Sequence, residues 1–168
     1  MRGRLINPFG VEIRRLDTVA TSISPGYDPV FREPALVSTE CGVGVVGRKE
    51  MDPIVVPGQF AIGSNFLLLQ MLANGNAAKI DFKLVFHFAD LEAYGLIEDG
   101  TGLAQIKVRD RLSAIYDVRT LELIQAIPNP PGVFVTEAEP HFGLGQSRNL
   151  LVVTFASRDQ GQTASAAG

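Results

Sequence analysis

The side chains with the widest chemical reach are few: one cysteine, Cys41, and two histidines, His87 and His141. A thiol within reach of an imidazole can act as a nucleophile, and spacing alone leaves Cys41 open to either histidine. Cys41 sits in no nucleophile motif, however, and a lone cysteine is more often a small buried side chain. No His-x-Glu, HExxH or paired-cysteine spacing occurs, so no zinc site is expected. The carboxylates Asp90, Glu92, Glu98, Asp99 and Asp110 gather mid-chain. Acid–base work by such a pair needs one member in an apolar pocket, and nothing in the spacing indicates that. Asp110-Arg111 reads instead as a turn with a backbone cap or an internal ion pair. Gly143-Leu144-Gly145 is followed by the strand-like QSRNLLVVTF rather than by a helix, so it is not a phosphate loop. The residues point to no enzyme, no cofactor and no metal.

Composition narrows the partners. The formal charge is −3, from 15 basic and 18 acidic residues, which lacks the basic field of a general nucleic-acid binder. Arg2, Arg4, Arg14 and Arg15 form a local basic cluster near the start, read as a solvated face or a contact surface. Charged residues make up only 20% of the chain, which leaves neutral surface for subunit contacts. No apolar run approaches the roughly 20 residues of a membrane span. MRGRLINPFG lacks a signal-peptide core, and the single cysteine excludes an intrachain disulfide. Synthesis in the cytoplasm and no membrane partner are expected.

The elements that must position these residues read as strands. KIDFKLVFHF alternates Ile80, Phe82, Leu84, Phe86 and Phe88 with Asp81, Lys83, Val85 and His87, the strongest strand signal in the chain. Asp90 is expected to cap a helix of one or two turns that stops at Gly95. LAQIKV and SAIYD read as further strands around the Arg109-Asp110 turn. Phe9, Val11 and Ile13 mark a first strand over about 9–16. Residues 35–46 read as one strand, and IVVPGQFAIG as another with an edge, bulge or interruption at Pro57-Gly58. Residues 64–73 are open between strand and turn or helix. VFVTEAEP alternates Val133, Val135 and Glu137 on one side against Phe134, Thr136 and Ala138 on the other. NLLVVTFAS is apolar on both faces, as a covered central strand would be.

The loop 17–35, with three prolines, carries Tyr27, Phe31 and Arg32; its aromatic pair either pins the loop to the barrel or meets a partner. The fold class is therefore all-β, a small β-barrel with long loops and one short helix. It forms one domain over residues 1–157, with a flexible tail at 158–168.

Three stretches together resemble the head–tail joining proteins of tailed bacteriophages, of the head-closure, stopper or neck type. They are GRLINPFGVEIRRLDT with GYDPVFREP, LVFHFADLEAYGLIEDGTGLAQIKVRDRLSAIYD, and GLGQSRNLLVVTF. The middle one carries an "H-x-x-D-L-E-x-x-G-L-I" element in His87, Asp90, Leu91, Glu92, Gly95, Leu96 and Ile97. An "I-x-V-x-D-R-L" turn follows in Ile106, Val108, Asp110, Arg111 and Leu112. The pattern has glycine ahead of Asp110, where this chain has Arg109. The resemblance implies a virion structural protein that forms a ring of six or twelve copies at the head–tail interface. Its partners would be portal, neck or tail proteins, with non-specific contact to packaged DNA in the lumen. Tyr27, Phe31, Arg32, Arg2 and Arg4 are the candidate contact residues. The alternatives are a capsid decoration or tail-tube or terminator protein, or a small barrel enzyme or ligand binder with a pocket of Phe82, Phe86 and Phe88.

Overall fold

A computed structural model of the chain describes residues 8–22, 27–28, 33–34, 36–39, 42–45, 49–61, 81–129, 132–142 and 148–157. The elements in order are β1 (Phe9–Arg14), α1 (Thr18–Ser22), β2 (Tyr27–Asp28), β3 (Glu33–Pro34), β4 (Leu36–Thr39), β5 (Gly42–Val45) and β6 (Ile54–Phe60). β7 (Asp81–His87), α2 (Phe88–Ala93), β8 (Arg111–Asp117), β9 (Leu123–Ala126), β10 (Val133–Phe142) and β11 (Arg148–Ser157) follow. Six strands pair antiparallel in the order β1-β6-β7-β11-β10-β8, and β8 returns to β1. The sheet closes on itself into a barrel, which removes most of its edges. β9 adds to β8 outside the closed ring, while β2–β3 and β4–β5 are separate two-stranded hairpins.

Period-two patterning decides what lies inside. Val135, Phe155 and Phe82 form one cross-strand row, Ala138, Val153 and Leu84 the next, and Pro140, Leu151 and Phe86 a third. Phe82, Leu84, Phe86, Val153 and Phe155 are buried, and so are Val11, Ile13 and Val56 from β1 and β6. Phe82 stacks on Phe155 with centroids 5.6 Å apart, and Phe60 links Phe82 to Phe9 at 5.8 and 5.7 Å. Such aromatic pairs add packing specificity to their area burial.

Pro57 and Gly58 sit within β6, where the sequence allowed an edge, a bulge or an interruption. β6 pairs β1 over Ile54–Gly58 but meets β7 only from Gly58 onward, so Pro57 costs no ladder bond on the β7 side. Gly58 is where β1, β6 and β7 come closest: a Cβ there would lie 2.8 Å from Phe86 Cε1 and 2.9 Å from Val11 Cγ2.

α2 leaves β7 directly, with His87 as its N-cap and Asp90 in its first turn rather than at the cap. It ends at Gly95 (φ 70), where Gly95 N–H reaches Glu92 O at 3.1 Å and Leu96 N–H reaches Leu91 O at 2.8 Å, a Schellman closure. Leu91, Leu96 and Ile106 are buried and close this end of the barrel core.

Several details differ from the sequence reading. Residues 103–108 are not a strand; only the isolated bridge Ile97↔Ala104 pairs there. Ile106 is buried while Val108 is 53% exposed, which strand alternation would have placed on one face. The 35–46 stretch is two strands, β4 and β5, paired as a hairpin. A second short helix, α1, lies within 17–35, with Ala20 N–H donating to Asp17 Oδ1 at 2.9 Å as an N-cap bond. β11 is central, but only its inner face is buried, since Leu150, Val152 and Thr154 are half-exposed. A bulge between Val135 and Glu137 turns Glu137 outward and brings Ala138 onto the inner face. Residues 64–73 and the tail 158–168 lie outside the described residues. Among the described residues no helix is long and apolar enough to cross a membrane.

Because Gly58 leaves no room for a methyl against Phe86 and Val11, Gly58→Ala should destabilise the barrel by about 1–3 kcal/mol in urea melts. An unchanged midpoint would mean that β1, β6 and β7 do not approach this closely.

Candidate functional site

The corner between the 96–110 segment and β8 is built around a buried carboxyl group. Asp110 is 3% exposed. Its Oδ1 accepts Leu16 N–H at 2.9 Å and its Oδ2 accepts Lys107 N–H at 2.8 Å. Its backbone carbonyl accepts Val135 N–H at 2.8 Å, while Arg109 N–H donates to Val135 O at 2.8 Å. Arg109 has φ 80, a left-handed backbone that favours glycine. That is the position at which the head–tail joining pattern has glycine.

The same end carries a second pin. Arg111 holds Glu50 through two hydrogen bonds of 2.8 and 2.7 Å, and both side chains are mostly buried. Bidentate geometry of this kind fixes orientation as well as charge. Leu16 bridges Glu50, and Arg15 Nη1 donates to Gln105 Oε1 at 2.5 Å. On the outer wall, Glu12 accepts Ser113 Oγ at 2.5 Å and Tyr116 OH at 2.9 Å. The bond to Glu12, then burial, pushes the Tyr116 phenol above its ordinary pKa. These groups tie β1 to β8.

A cavity lies elsewhere. Past Val135, residues 136–142 of β10 pair only with β11, so among the described residues the opposite edge of β10 has no partner strand there. Between that edge and residues 103–108 lies a groove of about 440 Å3. Phe88, Leu103, Ile106, Val108, Ala138 and Pro140 line it, and among the described residues its charged lining groups are Lys107 and Arg148. Glu137 and Glu139 alternate with Ala138 and Pro140 and so point to the other face of β10. Pro140 has no N–H to offer a partner strand along this edge.

A second exposed apolar feature flanks the other end of β8. The β8–β9 turn is fixed by Asp117, whose Oδ1 accepts Arg119 N–H at 2.7 Å and Thr120 N–H at 3.0 Å. These two donors, Thr120 first, hold the Asp117 carboxyl below its ordinary pKa. Leu121 (φ 58), Leu123 and Ile124 then stand 69%, 56% and 38% exposed.

Tyr27 lies in β2, with its backbone paired to Pro34. Phe31, Arg32, Arg2, Arg4 and Cys41 lie outside the described residues. His87 and His141 share the outer face of the sheet, each in register with Leu150 from opposite sides. Phe82 and Phe86 are 2% and 0% exposed in the packed core, and of the three phenylalanines of the expected pocket Phe88 lines the groove. Among the described residues no group of three or more His, Cys, Asp or Glu could hold a metal ion. Sequence reading missed the groove and the hairpin because both depend on where pairing stops. The one available signal was Leu121, Leu123 and Ile124 beside a turn, an apolar run with no charge pattern to bury it.

Asp110→Ala orphans two backbone N–H groups and should cost about 2–5 kcal/mol, read from chemical denaturation. Arg109→Gly should keep or raise Tm, whereas Arg109→Val, β-branched at positive φ, should cost about 1–2 kcal/mol. Equal melting of the two Arg109 variants would remove backbone strain from this corner. No family model, no curated protein and no solved structure matches the chain.

Proposed function

We propose that this chain is a structural protein of a tailed-bacteriophage virion. In this reading it forms a ring at the head–tail interface that joins the capsid portal to the tail. The observation that carries the reading is that seven of the twelve residues of the head–tail joining pattern build the corner. Leu91, Leu96, Ile106 and Leu112 supply its buried apolar contacts and Gly95 its helix stop. Asp110 supplies its polar centre, and Arg111 its ion pair to Glu50. Ring assembly needs weakly charged faces and protruding segments rather than a reaction centre. The charged fraction of 20%, the exposed Leu121–Leu123 turn and the apolar groove suit such contacts. The partners would be copies of this chain and neighbouring neck, portal or tail proteins, and packaged DNA would meet only the lumen wall.

Quantifying this chain against the portal protein in purified particles tests the reading. Six or twelve copies, located at the portal vertex by electron microscopy, are expected. Hundreds of copies would transfer the chain to capsid decoration or the tail tube, and its absence from particles would refute a virion role.

A further inference from the structure

The groove and the β8–β9 hairpin lie at opposite ends of β8, and each carries what the other lacks. The groove is apolar, and among the described residues its charged lining groups are the cations Lys107 and Arg148. The hairpin presents Leu121, Glu122 and Leu123 in sequence, so an anion stands between two exposed leucines. We infer that the groove of one copy receives the Leu121–Leu123 tip of the next. The leucines enter the apolar floor beside Phe88 and Val108, and Glu122 faces Lys107 and Arg148. This rests on the ring reading above and names the contact between neighbouring subunits.

Charge complementarity selects this occupant. The nearest acidic residues on β10, Glu137 and Glu139, point away from the groove, so an incoming carboxylate meets cations at the rim. An uncharged or basic apolar segment would leave that match unused. The contact is carried by side chains, because Pro140 interrupts the row of N–H donors along the free edge of β10. Groove and tip are different surfaces of one chain, so the contact is heterologous. Contacts of this class close into rings when the rotation between copies allows it.

Two variants separate the faces. Leu121→Asp with Leu123→Asp spoils the tip and leaves the groove intact. Leu103→Glu with Val108→Glu spoils the groove and leaves the tip intact. All four positions are exposed in the free chain, at 69%, 56%, 47% and 53%, so each variant should melt with the native protein. Where a pair lowers Tm, the single changes Leu121→Asp and Val108→Glu replace it. Native mass spectrometry and light scattering of the full chain read the outcome. The unaltered protein is expected to form a closed oligomer, and each variant alone to be monomeric. An equal mixture should stop at the heterodimer, since it has one intact tip and one intact groove to join. Oligomers that survive either variant, or a mixture that rebuilds the full assembly, would overturn this contact while leaving the ring reading intact. An unaltered protein that stays monomeric at every concentration would overturn both.

Discussion

The Asp110 carboxyl group is the interaction on which the rest of this barrel depends. Removing a carboxyl group from water is costly unless each oxygen finds a donor. Here one oxygen takes the N–H of Leu16, from the chain leaving β1, and the other takes that of Lys107, from the segment entering β8. Two segments far apart in sequence are thereby set against each other. The left-handed backbone at Arg109 is part of the same arrangement. It turns the Asp110 side chain inward while Arg109 N–H still reaches Val135. The strain at that residue is offset by the hydrogen bonds the turn permits.

Barrel closure follows from this corner. β8 meets β10 in register only at Leu112 and Arg111, opposite Val133 and Phe134, and the backbone bonds of Arg109 and Asp110 with Val135 extend the contact. Beyond Val135 β8 no longer pairs with β10, and among the described residues β10 continues with β11 as its partner strand. The bulge at Thr136 then restores Ala138 and Pro140 to the inner face, opposite Val153 and Leu151. An inner, apolar face is thus carried past the point where the barrel can cover it. Residues 103–108 cover part of it, and the groove is what they leave open.

The barrel class was legible because its strands are patterned at period two and its core is aromatic. Phe82, Leu84 and Phe86 needed no other information to be placed inside. The helix stop at Gly95 was legible for the same local reason, since a Schellman closure uses residues adjacent in sequence. What failed was set by distant partners. Ile106 and Val108 have strand spacing but no strand beside them, so only Ile106 is drawn into the core. Glu137 was assigned to the wrong face because a one-residue bulge reverses the alternation after it. The groove has no composition of its own, since its walls come from α2, the 103–108 segment, β10 and β11.

Open strand edges and exposed leucines are ordinarily hazards, because they invite pairing without selection. This chain limits the hazard at each place. Pro140 removes a donor from the free edge of β10, so a foreign strand gains an interrupted ladder there. The hairpin turn is braced by the Asp117 carboxylate, which holds Arg119 and Thr120 and so fixes where Leu121 points. A fixed tip loses little conformational freedom when it is covered, which favours one defined partner over many loose ones. The charge between its leucines adds discrimination, since burial of Glu122 without a cation would be costly. Surfaces that are apolar, rigid and charge-marked differ in this way from surfaces that are merely sticky, and the difference lies in residues that touch nothing within the barrel core.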